Sequence, residues 1–364
     1  MLNPVVFTER VVRDFLRYQL TTYPLADAEL HKQLRDLLNI SESRRSPLMK
    51  GPYVSLSRPF LEGPKVAQLI KEGVLHPLLS SIVSFPSLYG HQETAIRAIR
   101  NRRSTLISTG TGSGKTEAFL YPIITRCLEL RDQSSPAGVV AVLVYPMNAL
   151  AEDQLERLRG LLAGTGILFG MYVGKTPERL GDVTGKRLEP GSSRAAYDAA
   201  VKQRALDREQ GRKNAGNYAI HPAEERCSRE EMRGNGQQPR ILLTNVKQLE
   251  LLLTRQKDVE LFNGANLQYI VFDEAHTFKG AQGAETACLI RRLRAFCGRS
   301  ADEVTCVAAS ATMGDGTGSD SPGRDFCARF FGIDGSKAEI VTEQYVEEDW
   351  ADEKGSPDPL KLPA

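Results

Sequence analysis

The sequence predicts an α/β fold: a mostly parallel sheet wrapped by helices, preceded by a small helical domain. Two textures along the chain predict it. Six short β-branched or apolar runs, at residues 104–109, 139–145, 167–173, 240–244, 269–273 and 304–309, alternate with helical patterns. Strands that are apolar almost throughout are buried on both faces, as in a parallel sheet with helices on either side. Ahead of them, the first 80 or so residues carry helical spacing instead. At 364 residues the chain has room for two domains of ordinary size. The expected division is a helical accessory domain at 1–84, an α/β lobe at 85–335 with an insertion at 177–239, and 336–364 as an acidic tail or the start of a linker.

Within the N-terminal region, Val11, Val12, Phe15, Leu16 and Leu20 recur at helical spacing, and Leu30, Leu34, Leu37 and Leu38 repeat the pattern after Asp27, a residue suited to cap a helix. Both stripes are expected to face a core. Pro and Gly residues between 46 and 64 interrupt the pattern, and a short helix is expected at 65–72. In the α/β region, ligands gather at the carboxyl ends of parallel strands, so the segment after each run is where chemistry is sought. Residues 177–239 are polar, bear many Arg and Gly residues, and exceed an ordinary connection in a compact domain. They read as an insertion, part helical and part mobile, that the fold can do without. Residues 325–331 read as the helix after the sixth run.

Lys and Arg number 47 against 45 Asp and Glu, a net +2, so bulk charge neither demands nor forbids a nucleic-acid partner. The distribution is more informative. Lys186, Arg187, Arg194, Lys202, Arg204, Arg208, Arg212 and Lys213 form a basic cluster in the insertion, whereas residues 339–358 carry eight acidic residues and a single basic one, Lys354. The cysteines form no C-x-x-C pair, which suggests reduced thiols and neither a zinc site nor a disulfide framework. No apolar stretch approaches the roughly 20 residues that span a bilayer, and the first residues lack the pattern of a secretory signal. The expected location is cytoplasmic, with no membrane partner.

The first run leads straight into Thr109-Gly110-Thr111-Gly112-Ser113-Gly114-Lys115-Thr116 and then a helical pattern. A strand, a glycine-rich turn and a helix N-terminus together aim several N–H groups and the helix dipole at one anion, which suits a phosphate chain. Thr111, Gly112, Ser113 and Gly114 would line that cradle. The Lys115 ammonium reaches the outer phosphates and the Thr116 hydroxyl ligates Mg²⁺, so ATP and Mg²⁺ are the expected cofactors. Thr109 stands where the motif usually begins with Gly. The fifth run ends in Asp273-Glu274-Ala275-His276. Two adjacent carboxylates at a strand end divide phosphoryl transfer between them: Asp273 for the metal, Glu274 for the attacking water.

With these motifs, and with Tyr89-Gly90-His91-Gln92 ahead of the glycine-rich loop, Tyr145-Pro146-Met147-Asn148 after the second run, Val173-Gly174-Lys175-Thr176 after the third, Thr244-Asn245 after the fourth and Ser310-Ala311-Thr312 after the sixth, the chain resembles the superfamily 2 helicases and translocases of the DEAH type. The resemblance implies a RecA-like P-loop lobe. It gives Gln92 to adenine, whose edge an amide can meet with both a donor and an acceptor. It gives Pro146, Asn148, Gly174, Thr176, Thr244 and Asn245 to nucleic-acid phosphates, which carry no sequence information, and His276, Ser310 and Thr312 to coupling between nucleotide site and motion. The segments 242–252, 276–283 and 290–293 are similar to the branch of MrfA-type repair helicases and the large phage-defence helicases of Druantia and DISARM type.

Motors of this superfamily have two RecA-like lobes, the second supplying arginines to the ATP site, and only 52 residues follow Thr312. The implied role is therefore the N-terminal portion of an ATP-dependent helicase or translocase acting on DNA, single-stranded or duplex with a single-stranded tail, with other subunits of a defence or repair assembly as candidate partners. The alternative is a nucleotide-gated nucleic-acid-binding or interaction subunit without unwinding.

Overall fold

The computed structural model describes residues 4–22, 25–38, 58–110, 112–210, 218–311 and 322–346, and it divides into two compact units at Arg58. The first unit contains helices α1 (Pro4–Thr22) and α2 (Ala28–Leu38). Asp27 caps α2 as its position predicts, its Oδ1 accepting the Glu29 and Leu30 N–H groups at 2.9 Å each. The apolar stripes do not reach a core, contrary to expectation. Phe15, Tyr18, Leu30 and Leu37 are all exposed; among the described residues of this unit, α1 and α2 do not cover each other's apolar faces.

The second unit begins at Pro59, so the boundary expected at 84 moves back to 58. Strand β1 (Glu62–Lys65), helices α3 (Val66–Lys71) and α4 (Leu79–Ile82), and β2 (Ser87–Tyr89), antiparallel to β1, lead into α5 (Gly90–Arg100). Val66, Leu69, Leu75, Leu79 and Ile82 join the same buried cluster as Ile96 and Phe119, which makes residues 59–84 part of the lobe.

There follow β3 (Ser104–Ser108), α6 (Lys115–Asp132), β4 (Ala141–Tyr145), α7 (Asn148–Leu162) and β5 (Phe169–Met171). The next segment carries β6 (Lys186–Arg187), α8 (Arg194–Glu209), β7 (Ile220–His221), β8 (Glu225–Arg226) and α9 (Arg229–Arg233). Then come β9 (Ile241–Asn245), α10 (Val246–Leu252), β10 (Tyr269–Phe272), α11 (Gly280–Phe296), β11 (Thr305–Ser310), α12 (Pro322–Cys327) and β12 (Ala338–Thr342). Eight strands form one sheet in the order β12-β3-β11-β10-β4-β9-β5-β8, and every pairing in it is parallel.

Alternation along each strand splits the core in two. Ile107, Leu143, Tyr145 and Val271 pack toward α5, α6 and α7; Leu106, Val142, Val144, Ile270 and Phe272 pack toward α10, α11 and α12. Each of the six predicted runs holds a strand. The other two strands arise where none was expected. Residues 338–342 add an edge strand rather than starting a tail, and β8 places part of the segment 177–239 in the main sheet. That segment therefore does not lie wholly outside the sheet. Tyr197, Ala200 and Ile220 also bury themselves with Ala163 in a small core of their own. Among the described residues no helix is long and apolar enough to cross a membrane.

Candidate functional site

All strands of the main sheet run the same way, so the loops after β3, β10 and β11 meet at one edge. The loop after β3 turns through two left-handed glycines, Gly112 (φ 83°) and Gly114 (φ 77°). Nothing lies within 4 Å of where a Cβ on Gly112 would stand, so the backbone there faces open space that a phosphate chain can enter. Thr109 and Ser113 close the turn from beneath through a 2.7 Å hydroxyl contact, and Ser113 Oγ donates to the Gly110 carbonyl at 2.9 Å. Lys115 is buried. Its ammonium donates to the Thr109 and Gly110 carbonyls at 2.7 and 2.9 Å, partners that phosphate oxygens can replace. Burial pulls its pKa down, against the opposing charges of Glu274, Asp273 and Glu343. Thr116, half-buried, opens α6 beside it; Thr111 lies outside the described residues.

Asp273 ends the buried strand β10, and burial, with the neighbouring charge of Glu274, pushes its carboxyl up to about 6. A carboxylate in that state gains most from a hard cation, so the donor set fits Mg²⁺ through Asp273 and Thr116. Glu274 sits in the left-handed region (φ 51°, ψ 45°), a conformation that costs a non-glycine residue roughly 1–2 kcal/mol. The turn lets the Glu274 N–H donate to Asp273 Oδ1 at 2.9 Å and separates the two carboxylates into distinct roles. His276 Nδ1 lies 3.3 Å from Glu274 Oε2 and 3.5 Å from Ser310 Oγ, a coupling contact at the outer limit of a hydrogen bond. Thr312 lies outside the described residues.

Gln92 is buried, and its amide is already engaged: Oε1 accepts the Tyr89 N–H at 2.8 Å and Nε2 donates to the Gly114 carbonyl at 2.9 Å. In this state it braces the P-loop. His91 does the same through a 2.8 Å contact of Nε2 with the Ser113 carbonyl.

Three neighbours of this site carried no readable signal in the sequence. Glu117 in the first turn of α6 pairs with Arg157 of α7. Past β12, Glu343 accepts the Gly110 N–H of the P-loop, while Tyr345 donates to the same carboxylate. Burial opposes the Glu343 charge, but those bonds and the positive fields of His91 and Lys115 hold its carboxyl below the usual range. A carboxylate there competes with phosphate for the loop. Glu343→Gln is accordingly expected to tighten ATP·Mg²⁺ binding about three- to tenfold, read by titration calorimetry. Weaker binding would make Glu343 a nucleotide ligand instead.

Residues assigned to phosphates divide into two sets. Thr244 and Thr176 point inward: Thr244 Oγ1 donates to the Tyr172 carbonyl at 2.7 Å, and Thr176 Oγ1 donates to the Met171 carbonyl at 2.8 Å while accepting the Val173 N–H at 2.9 Å. Their hydroxyls shape loops and are not offered to a ligand. Asn148, Gly174 and Asn245 lie at the rim with half-buried Pro146. Asn245 caps α10 through the Gln248 N–H (2.7 Å) and donates to Asn148 Oδ1 at 2.7 Å, tying the ends of β9 and β4 together. At the start of α7, Met147 supplies no side-chain cap, which leaves first-turn N–H groups open to an anion.

Fold and site together define a P-loop nucleotide-binding lobe of RecA-like architecture, with an adjacent carboxylate pair at the end of β10, separated from β3 by β11. The DEAD/DEAH box helicase profile matches residues 89–187 and 202–318, and the chain belongs to that family. The match resumes at 202, so only part of the segment read as an insertion lies outside it. The chain is similar to Druantia protein DruE of Escherichia coli (strain UMEA 4076-1), 28% identical over 82% of this chain and 20% of that protein. It is also similar to the uncharacterized ATP-dependent helicase YprA of Bacillus subtilis, 26% identical over 62% of this chain and 23% of that one. It thus spans about a fifth of the length of these relatives. The DUF1998 helicase MrfA bound to DNA and AMPPNP shares the fold over 78% of this chain and 30% of its own, with a TM-score of 0.51 at 22% identity. The DEAD-box helicase Mss116 bound to ssRNA and UDP-BeF does so over 79% and 47%, with a TM-score of 0.52 at 19% identity.

Proposed function

We propose that this chain is the first motor lobe of an ATP-dependent DNA helicase or translocase, completed by a second RecA-like lobe. The observation that carries the reading is the convergence of Lys115, Asp273 and Glu274 at one sheet edge, with Glu274 turned away from Asp273 by its left-handed backbone. ATP·Mg²⁺ supplies the electrophilic phosphorus and the free energy. Lys115 and the loop N–H groups bind the phosphate chain, Asp273 and Thr116 hold the cation, and Glu274 orients the water and takes its proton. His276, between Glu274 and Ser310, links that step to the end of β11. The second reading, a nucleotide-gated binding subunit without unwinding, has no use for Glu274. The solved MrfA structure is bound to DNA, which favours DNA as the track; a place in phage defence or repair alongside other subunits belongs to the same proposal.

The rim formed by Pro146, Asn148, Gly174 and Asn245 offers backbone and amide groups, which grip phosphates without reading bases. Affinity for single-stranded DNA is therefore expected to be low, indifferent to sequence and steeply salt-dependent. Binding of unrelated oligonucleotides across a salt series checks this. Affinity that varies widely with sequence but hardly with salt overturns it.

A further inference from the structure

Arg229 opens α9, in the segment that the sequence reading set aside as an insertion. It is largely buried; one guanidinium nitrogen bonds the loop that carries Val173-Gly174-Lys175-Thr176, and the other lies 3.9 Å from Glu178 Oε2. Nη2 donates to the Val173 carbonyl at 3.1 Å and to the Gly174 carbonyl at 2.8 Å. The guanidinium carbon lies 5.1 Å from the centre of the Tyr172 ring, and the Arg229 N–H donates to the Pro177 carbonyl at 2.9 Å. Tyr172 is itself fixed. Its hydroxyl donates to Asp258, which pairs with Arg233 of the same helix at 3.1 Å.

The consequence follows from peptide geometry. In a trans peptide the carbonyl and the next N–H point in opposite directions. By drawing the Val173 and Gly174 carbonyls toward itself, Arg229 turns the N–H groups of Gly174 and Lys175 the other way. Both residues are exposed, and neither N–H has a partner among the described residues. Thr176 pins the loop from inside, so the two N–H groups form a fixed pair of adjacent donors at the rim.

We propose that Arg229 is a positioning residue for nucleic acid: it never touches the strand, and it holds the Gly174 and Lys175 N–H groups in the orientation that receives a backbone phosphate. This deepens the reading of the rim as a nucleic-acid track and rests on it. A positioning role differs from a charge role in one measurable respect. Lysine keeps the charge but lacks the flat guanidinium that lies over the Tyr172 ring and so sets Nη2 between the two carbonyls.

The test uses residues 1–364 carrying Arg229→Ala, Arg229→Lys or, as a control on the track itself, Asn148→Asp. Fluorescence anisotropy with a labelled oligo-dT across a salt series gives affinity and salt slope; calorimetry gives ATP·Mg²⁺ affinity. Both Arg229 variants are expected to weaken binding about five- to tenfold, with an unchanged salt slope and unchanged ATP affinity, because hydrogen bonds to phosphate are lost while no phosphate-neutralising charge is removed. Arg229→Lys keeps the test open should the alanine variant fail to fold. Normal binding by Arg229→Lys with a shallower slope for Arg229→Ala makes Arg229 a direct phosphate contact and overturns the proposal. A parallel loss of ATP affinity assigns it a general structural role and does the same. If both Arg229 variants bind normally while Asn148→Asp weakens binding, the proposal falls and the track stands; if Asn148→Asp also binds normally, the track falls and the proposal with it.

Discussion

ATP turnover by residues 1–364 alone is expected to lie about 10³- to 10⁵-fold below that of a two-lobed protein containing them, the range an arginine supplied from a partner domain is worth in related phosphoryl transfers. On the proposed reading the lobe holds the parts that bind nucleotide and activate water. The described residues do not present a free guanidinium aimed at the transferred phosphoryl group. Lys115 is the cation nearest the loop, and Arg157, whose charge Asp273 senses, is committed to Glu117. The sheet closes with β12 at its edge, and no second large sheet occurs among the described residues. ATP·Mg²⁺ should therefore bind measurably while phosphate release stays near background with or without DNA. Strong DNA-stimulated release from this chain, abolished by Glu274→Gln, overturns the requirement for a second lobe.

Local chemistry is what the sequence displayed well. The loop 109–116 and the pair Asp273-Glu274 each lie on a few consecutive residues whose flanking strand and helix are legible from periodicity, and the structure brings them together. Thr244 was misread for a reason that alternation already contained: period two puts it on the same face as buried Leu242, so its hydroxyl turns inward to the Tyr172 carbonyl. Strand β12 escaped notice because the acidic run from 339 dominated the reading, although Ile340 and Val341 carry the apolar content of an edge strand. Two-residue β8 has no pattern to detect. Contacts between distant positions were illegible in principle. Glu343 reaches Gly110 across 233 residues, and nothing in either neighbourhood announces the other.

The largest stability effect is expected at such a distant pair. Arg159 of α7 and Glu225 of β8 are both buried and meet fork to fork, with Nε to Oε2 at 2.7 Å and Nη2 to Oε1 at 2.8 Å. His221 completes the group: Nε2 lies 3.0 Å from Thr184 O, and Nδ1 lies 3.0 Å from Glu225 Oε2 and 3.3 Å from Arg159 Nη2. Cys227 brings a third metal-ligating type beside His221 and Glu225, but the guanidinium already occupies the carboxylate, which argues against a cation there. Arg159→Ala strands a buried carboxylate and is expected to cost about 3–5 kcal/mol in urea or thermal unfolding. Arg159→Met with Glu225→Leu should recover much of that loss, because two apolar groups need no partner. The pH dependence gives a second readout. In the native protein burial pushes the Glu225 carboxyl up, but the hydrogen bonds from Arg159 and His221 outweigh it and hold the pKa below its ordinary value. That contribution is present above the unfolded carboxylate range and is lost as pH falls through it. Without Arg159 only His221 opposes burial, the largest single cause, so the sign is expected to reverse and the single variant should be more stable at pH 5 than at pH 7. Replacing 177–239 by a short linker removes Glu225 and β8 together and is expected to yield unfolded protein. A soluble, folded deletion variant would show that the main sheet stands without its last strand.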